Sequence, residues 1–219
     1  MIISLISQKG GVGKSAIARL LAVEFIKAGW SVKIADLDTA QGTATRWKAK
    51  RDQAGIKPEV PVEKFATIER AVREAERFDL VILDGPAHAE KGGLTMARKS
   101  DLILIPTGYS LDDLEPQVEV AYELEGAGIP NDKLWFVFCR IGGSSSEEQS
   151  ARGYCKRAGV NVFEPVFHEL PSIRQGHNAG KAASEVSFAA VQEKAIALAV
   201  AVASHVQASK AAAAEKEVA

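Results

Sequence analysis

Short apolar runs and helix-spaced apolar positions alternate along most of this chain. Ile2-Ile3-Ser4-Leu5-Ile6 is the first run, and Ile17, Leu20, Leu21, Phe25 and Ala28 follow at helical spacing. Strand-like runs recur at Ser31–Ala35, Val60–Phe65, Phe78–Leu83, Leu102–Ile105, Leu134–Arg140 and Val160–Phe163. A helix-like stretch from Ile68 to Phe78 lies between two of them, and Phe188, Val191, Ala195, Leu198 and Val202 repeat at helical spacing near the end. Such alternation predicts right-handed βαβ units, hence an α/β fold with a mostly parallel sheet and helices on both faces. One domain is expected over residues 1–205, with 206–219 as a flexible tail.

The connection after the first strand is the most telling segment. Ser7-Gln8-Lys9-Gly10-Gly11-Val12-Gly13-Lys14-Ser15 sits between an apolar run and a helix pattern, which is the context of a phosphate-binding P-loop. Glycines let backbone N–H groups turn inward around phosphate oxygens, and the helix N-terminus adds unpaired donors. Gly10, Gly11, Val12, Gly13, Lys14, Ser15 and Ala16 are therefore the candidate phosphate ligands. Lys14 is placed to reach the β/γ-phosphates, and the Ser15 hydroxyl to reach a nucleotide-bound Mg²⁺. Gln8 stands where the ordinary pattern has its first glycine.

A second lysine, Lys9, lies on the loop itself, five residues before Lys14. With it the chain resembles the deviant Walker A ATPases, which include the ParA partition proteins, the MinD regulators and the nitrogenase iron protein. The form Gln-Lys-Gly-Gly-Val-Gly-Lys is most similar to the ParA branch. That resemblance implies ATP and Mg²⁺ as cofactors, and a Lys9 that reaches across a homodimer to the partner's nucleotide.

Two later segments follow the same pattern. Asp36-Leu37-Asp38-Thr39-Ala40-Gln41 resembles the ParA segment Asp-x-Asp-Pro-Gln, with Thr39-Ala40-Gln41 replacing Pro-Gln. By the family pattern Asp38 orients the attacking water and Asp36 lies nearer the metal. Phe78-Asp79-Leu80-Val81-Ile82-Leu83-Asp84 has the Walker B form, so Asp84 is expected to hold Mg²⁺ through water. Gly85-Pro86 resembles the switch that follows. The expected catalytic set is thus Lys9, Lys14 and Asp38, and the expected metal set is Ser15, Asp36 and Asp84.

The resemblance covers roughly residues 1 to 200, with departures. Ala16 replaces a second Ser/Thr that contacts the α-phosphate in relatives. Cys139 stands where relatives often carry a base-recognising asparagine, next to Arg140, a candidate base contact. Leu170-Pro171-Ser172-Ile173-Arg174 resembles the loop over the adenine, making Pro171 a candidate there; a plain strand-to-helix turn is the other reading.

Composition adds limits. The chain has 219 residues, 47% hydrophobic, enough for a sizeable core. Cys139 and Cys155 lack metal-ligand spacing, and two unpaired thiols fit a cytosolic setting. The four histidines, His88, His168, His177 and His205, are scattered, and His88 draws notice only for its place beside Gly85-Pro86. No signal or membrane-spanning segment is expected, and the residues after His205 have too few large apolar side chains to anchor in lipid. A net charge of -1 gives no global attraction to DNA, so binding must rest on a local patch. Arg152, Lys156 and Arg157 on one expected helix, with Arg174, Lys181 and Lys194 beyond, are candidates; Trp47-Lys48-Ala49-Lys50-Arg51 is a second basic run. Each also reads as a solvated face.

Four readings remain open. A ParA-like ATPase would dimerise with ATP, bind DNA without sequence preference and, with a ParB-like or cargo-adaptor protein, move a plasmid, chromosome region or protein cargo over the nucleoid. The same switch could serve DNA transfer or secretion. The others are a membrane-bound MinD-like regulator and a metabolic P-loop enzyme.

Overall fold

Alternate residues of each strand feed two separate cores, one on each face of a single sheet. The computed structural model describes residues 1–86, 90–139, 145–168 and 170–218. The strands are β1 (Ile2–Leu5), β2 (Val32–Asp36), β3 (Val62–Lys64), β4 (Leu80–Asp84), β5 (Leu102–Thr107), β6 (Leu134–Phe138) and β7 (Asn161–Val162). The helices are α1 (Lys14–Lys27), α2 (Thr43–Gln53), α3 (Ile68–Arg73), α4 (Glu90–Lys99), α5 (Leu111–Gly126), α6 (Ser145–Arg157), α7 (Pro171–Asn178) and α8 (Ala189–Val218).

Ile3, Leu5, Ile34, Ile82, Leu104 and Val137 point to one face, where α1, α2, α7 and α8 cover them. Ile2, Val81, Leu83, Ile103, Ile105 and Phe136 point to the other, under α3 to α6. All pairings are parallel, in the order β3-β2-β4-β1-β5-β6-β7. The expected α/β class holds. The expected helix from Ile68 to Phe78 is shorter: α3 stops at Arg73 and a 3₁₀ turn, Glu74–Glu76, follows.

Two features set the site. β1 lies between β4 and β5, so the segment after Leu5 emerges at the carboxyl edge where the strand order diverges, the usual ligand crevice of such sheets. The β2–β4 register pairs Asp36 with Asp84, so two carboxylates stand side by side at that edge.

The C-terminal boundary differs from expectation. Residue 206 falls inside α8, which runs unbroken to Val218, and Val206 is itself buried against the core. Alanine, lysine and glutamate dominate those residues, and all three favour helix. Lys210 also covers the Trp30 ring, 4.5 Å from its centroid. One stretch, Ala189–Ala212, is long and apolar enough to cross a membrane by length and composition. Its Ala195, Leu198, Ala199, Val202 and Val206 belong to the core that covers α1.

Candidate nucleotide and metal site

The loop between β1 and α1 takes the glycine-dependent shape its sequence implies. Gly11 and Gly13 have φ of 72° and 105°, values that side chains other than glycine's rarely tolerate. Gly13 is the N-cap of α1 and offers no side chain, so the first amides of the helix remain available for an anion. Beneath it lies Cys139, whose Sγ would be 3.6 Å from a Cβ at Gly13.

Lys14 points inward and is buried, with Nζ donating to the Lys9 carbonyl at 3.3 Å. Burial lowers its pKa, opposed by the charges of Asp84 and Asp38. Lys9 points the other way. Its Nζ donates to the Asp113 carboxylate at 2.8 Å and to the Asp112 carbonyl at 2.5 Å, at the start of α5. Lys9, Gly10, Val12, Thr107, Tyr109, Ser110, Asp113 and Cys139, with the first turns of α6, line an open cavity of about 580 Å³ on that outer side.

The acid pair has the traits of a cation site. Asp84 is almost fully buried, and burial pushes its carboxyl up to about 6 despite a hydrogen bond from Ser15 and the nearby charges of Arg19 and Lys14. One oxygen of Asp84 and one of Asp36, both Oδ1, are enclosed without a hydrogen-bond partner. Orphaned carboxylate oxygens on neighbouring strands, beside the Ser15 hydroxyl, fit a small hard cation such as Mg²⁺.

Asp36 has a second task. Its Oδ2 accepts from the Thr45 amide at 3.0 Å and the Thr45 hydroxyl at 2.8 Å, which caps the first turn of α2. The helix needs this help because its own N-cap is Gly42, with φ of 54°. Asp38 lies in the loop just before, half-buried, with Oδ1 accepting from the Gln41 amide at 3.0 Å.

Lys9, Lys14, Ser15, Asp36, Asp38 and Asp84 are thus gathered around one loop. Ala16 is half-buried in the first turn of α1. Pro171 is exposed at the first position of α7, and the Cys139–Phe167 bridge holds the chain leading to it beside the end of β6. Arg140 and His88 lie outside the described residues.

Arg19 belongs to the site although no motif points to it. It is buried at 6% exposure, donates to the Thr43 carbonyl at 2.9 Å, and its charge acts on Asp84 and Asp36. Its one signal in the sequence is a charge amid the apolar run Ile17-Ala18-Arg19-Leu20-Leu21.

Two basic groups need correction. Arg152 is held by Glu148 at 2.8 Å, by the carbonyls of Phe163 and Glu164, and over the Phe138 ring. These contacts engage its guanidinium within the fold, so it is less available to a DNA patch than its spacing suggests. In the second run, Trp47 and Arg51 are buried, and Arg51 forms a two-pronged ion pair with Glu185 at 2.6 and 2.8 Å.

Comparison with known proteins agrees with this geometry. No curated protein sequence matches the chain. MinD of Pyrococcus furiosus, a cell-division ATPase, superposes with a TM-score of 0.74 at 21% identity, over 93% of this chain and 98% of that one. The apo McdA of Cyanothece gives 0.71 at 18% identity, over 92% and 98%. A ParA-family ATPase of Chlorobium tepidum gives 0.65 at 16%, over 91% and 98%. The family model described as the CobQ/CobB/MinD/ParA nucleotide binding domain matches residues 3–213. By that match, over nearly its whole length, the chain belongs to the CobQ/CobB/MinD/ParA nucleotide-binding family.

Proposed function

We propose that this protein is an ATP-hydrolysing switch that dimerises around ATP and, as a dimer, binds DNA without sequence preference. In that state it positions a plasmid, chromosome region or protein cargo in the cytoplasm, over the nucleoid. The observation that carries the reading is the opposite aim of two lysines on one loop. Lys14 is turned inward, within reach of the charges of Asp84 and Asp38, while Lys9 stands on the open outer wall with its side chain 38% exposed. A cation in that place serves a neighbouring molecule's phosphates better than its own.

In the reaction, the loop amides from Gly10 to Ser15 hold the phosphates and Lys14 neutralises them. Ser15, Asp36 and Asp84 would hold Mg²⁺, which supplies further neutralisation of the phosphate oxygens. Asp38 orients water in line with the γ-phosphorus and accepts a hydrogen bond from it. The water oxygen bonds to phosphorus, the bond to the β-phosphate oxygen breaks, and ADP and phosphate leave. Loss of the γ-phosphate then removes what Lys9 of each subunit grips in the other, and the dimer parts. A ParB-like or adaptor protein would accelerate the step.

A membrane-bound regulator is the second reading, favoured by the length and composition of α8. Leu198, Val202 and Val206 of α8 are buried in the domain core, which argues against its release into a membrane. Light scattering with ATP, ADP or no nucleotide, with and without DNA, tests the proposal. A protein that stays monomeric with ATP would sink it.

A further inference from the structure

Charge on this near-neutral chain is sorted by helix. α5 carries Asp112, Asp113, Glu115, Glu119, Glu123 and Glu125 and no basic residue. α2 and α7 are the reverse. Their only acid is Asp52, and it is paired with Lys48. Arg51 is consumed by Glu185 inside the fold. Arg46, Lys50 and Arg174 remain exposed on the two helices.

These residues share one continuous surface because the helices meet without a gap. Trp47 Nε1 donates to the Lys181 carbonyl at 3.0 Å, and Arg51 donates to the Gly180 carbonyl at 3.0 Å. A Cβ at Gly180, where φ is 79°, would lie 2.5 Å from the Arg51 nitrogen and 2.9 Å from the Lys50 carbonyl carbon. Glycine there lets the chain leading to Lys181 pass directly against the backbone of Lys50 and Arg51. Arg46 lies one turn before Lys50 on the same face of α2. On the far side of α7, exposed Lys194 shares a small cleft with Leu170 and Ile173. Among the described residues, Arg46, Lys50, Arg174, Lys181 and Lys194 make no ion pair.

We propose that this α2–α7 seam, with Lys194 at its margin, is where the phosphate backbone of duplex DNA lies. The inference rests on the switch reading above and replaces the α6 patch with another surface. Cations without ion pairs, on helices whose one acid, Asp52, is already paired with Lys48, release counterions when they meet phosphates, and such contacts carry no sequence information. Between the cations the exposed side chains are Ala49, Gln53, Gln175, Asn178 and Ala179, which offer a lipid bilayer nothing to bury. The seam is also placed to sense nucleotide. α2 begins at the close of the Asp38 loop and α7 at Pro171, so Arg46 and Arg174, each the fourth residue of its helix, lie near the nucleotide edge of the sheet, while Lys50 and Lys181 lie toward the other end. By contrast Lys156 and Arg157 end α6, and helices in this fold run opposite to their strands, so that pair lies at the far edge.

The test is fluorescence anisotropy of a labelled random-sequence duplex with ATP at several salt concentrations. It compares the wild type, Arg46→Glu/Lys50→Glu, Arg174→Glu/Lys194→Glu and, as a control, Lys156→Glu/Arg157→Glu. Each seam pair should weaken binding by about tenfold or more and lower the salt slope by about two for each subunit that touches the duplex, because each lost phosphate contact removes about one unit. The control should match the wild type, and all four should dimerise alike with ATP. Seam variants that bind normally, or a control pair that loses DNA, would overturn the proposal. So would a wild type that sediments with anionic vesicles and ignores DNA. If the wild type does not dimerise with ATP, the switch reading fails by itself. The seam is then judged on the monomer at low salt, where the same reversals must still weaken binding.

Discussion

Lys9 and Asp113 form an ion pair at 2.8 Å that ties the phosphate loop to the start of α5 within one subunit. The lysine that would serve a partner is therefore already occupied. Both side chains are more than a third exposed, 38% and 37%, so the pair holds Lys9 by less than about 1 kcal/mol. Asp113→Asn should loosen Lys9, leaving only its bond to the Asp112 carbonyl, and lower the ATP concentration for half-maximal dimerisation by no more than about fivefold on that estimate. Lys9→Ala should bind ATP and stay monomeric. Gel filtration across an ATP series reads both, and a Lys9→Ala variant that dimerises normally removes the cross-subunit role.

Asp38→Ala should keep ATP affinity and lose turnover, roughly 10²–10⁴-fold if the carboxylate acts on the water. Lys14→Ala should instead lose affinity, by about 1.5–3 kcal/mol for one charged hydrogen bond. Nucleotide titration and phosphate release separate the two. Wild-type turnover in Asp38→Ala would take that residue out of the mechanism.

Arg51 is the peg that fixes α2 to the segment after α7. Removing one partner of a buried ion pair costs about 3–5 kcal/mol, so Arg51→Ala should unfold at clearly lower denaturant concentration. Arg51→Met with Glu185→Leu should recover part of the loss, since no buried charge is then left alone. A double variant less stable than Arg51→Ala would contradict this account.

His177 predicts an acid sensitivity. Its Nε2 is enclosed without a partner, and burial, aided by Arg19, pushes its pKa down to about 3. The unfolded chain therefore takes up this proton first. The contribution is full above about pH 6.5 and is lost as pH falls from there toward 3. Denaturation curves between pH 7 and about pH 4 should show a shallower decline in His177→Gln. An unchanged decline would mean that other groups set the acid limit.

Much of this is legible in the sequence because it is local. The strand and helix periods, the glycine loop and the two aspartate-ended strands each sit within a few residues, and the sheet follows from their alternation. What stays hidden joins distant parts of the chain. Asp113 is 104 residues from Lys9, and Glu185 is 134 from Arg51, so no window of sequence holds either pair. Arg152 misleads for another reason. Spacing says which face of a helix a residue shares, but not that Glu148, one turn earlier, already claims that arginine. The last residues lack large apolar groups, which predicts a loose tail, yet alanine needs none to remain helical.

Asp36 serves two masters, and that limits how the site can drift. One oxygen, Oδ1, is enclosed without a hydrogen-bond partner, free for the proposed cation, and the other caps the helix that follows the Asp38 loop. A change that spoils the carboxylate therefore loosens an arm of the protein as well as a ligand. Asp36→Asn would keep an acceptor for Thr45 while dropping the charge. That replacement divides the two duties, so it separates loss of the charge from loss of the cap on α2.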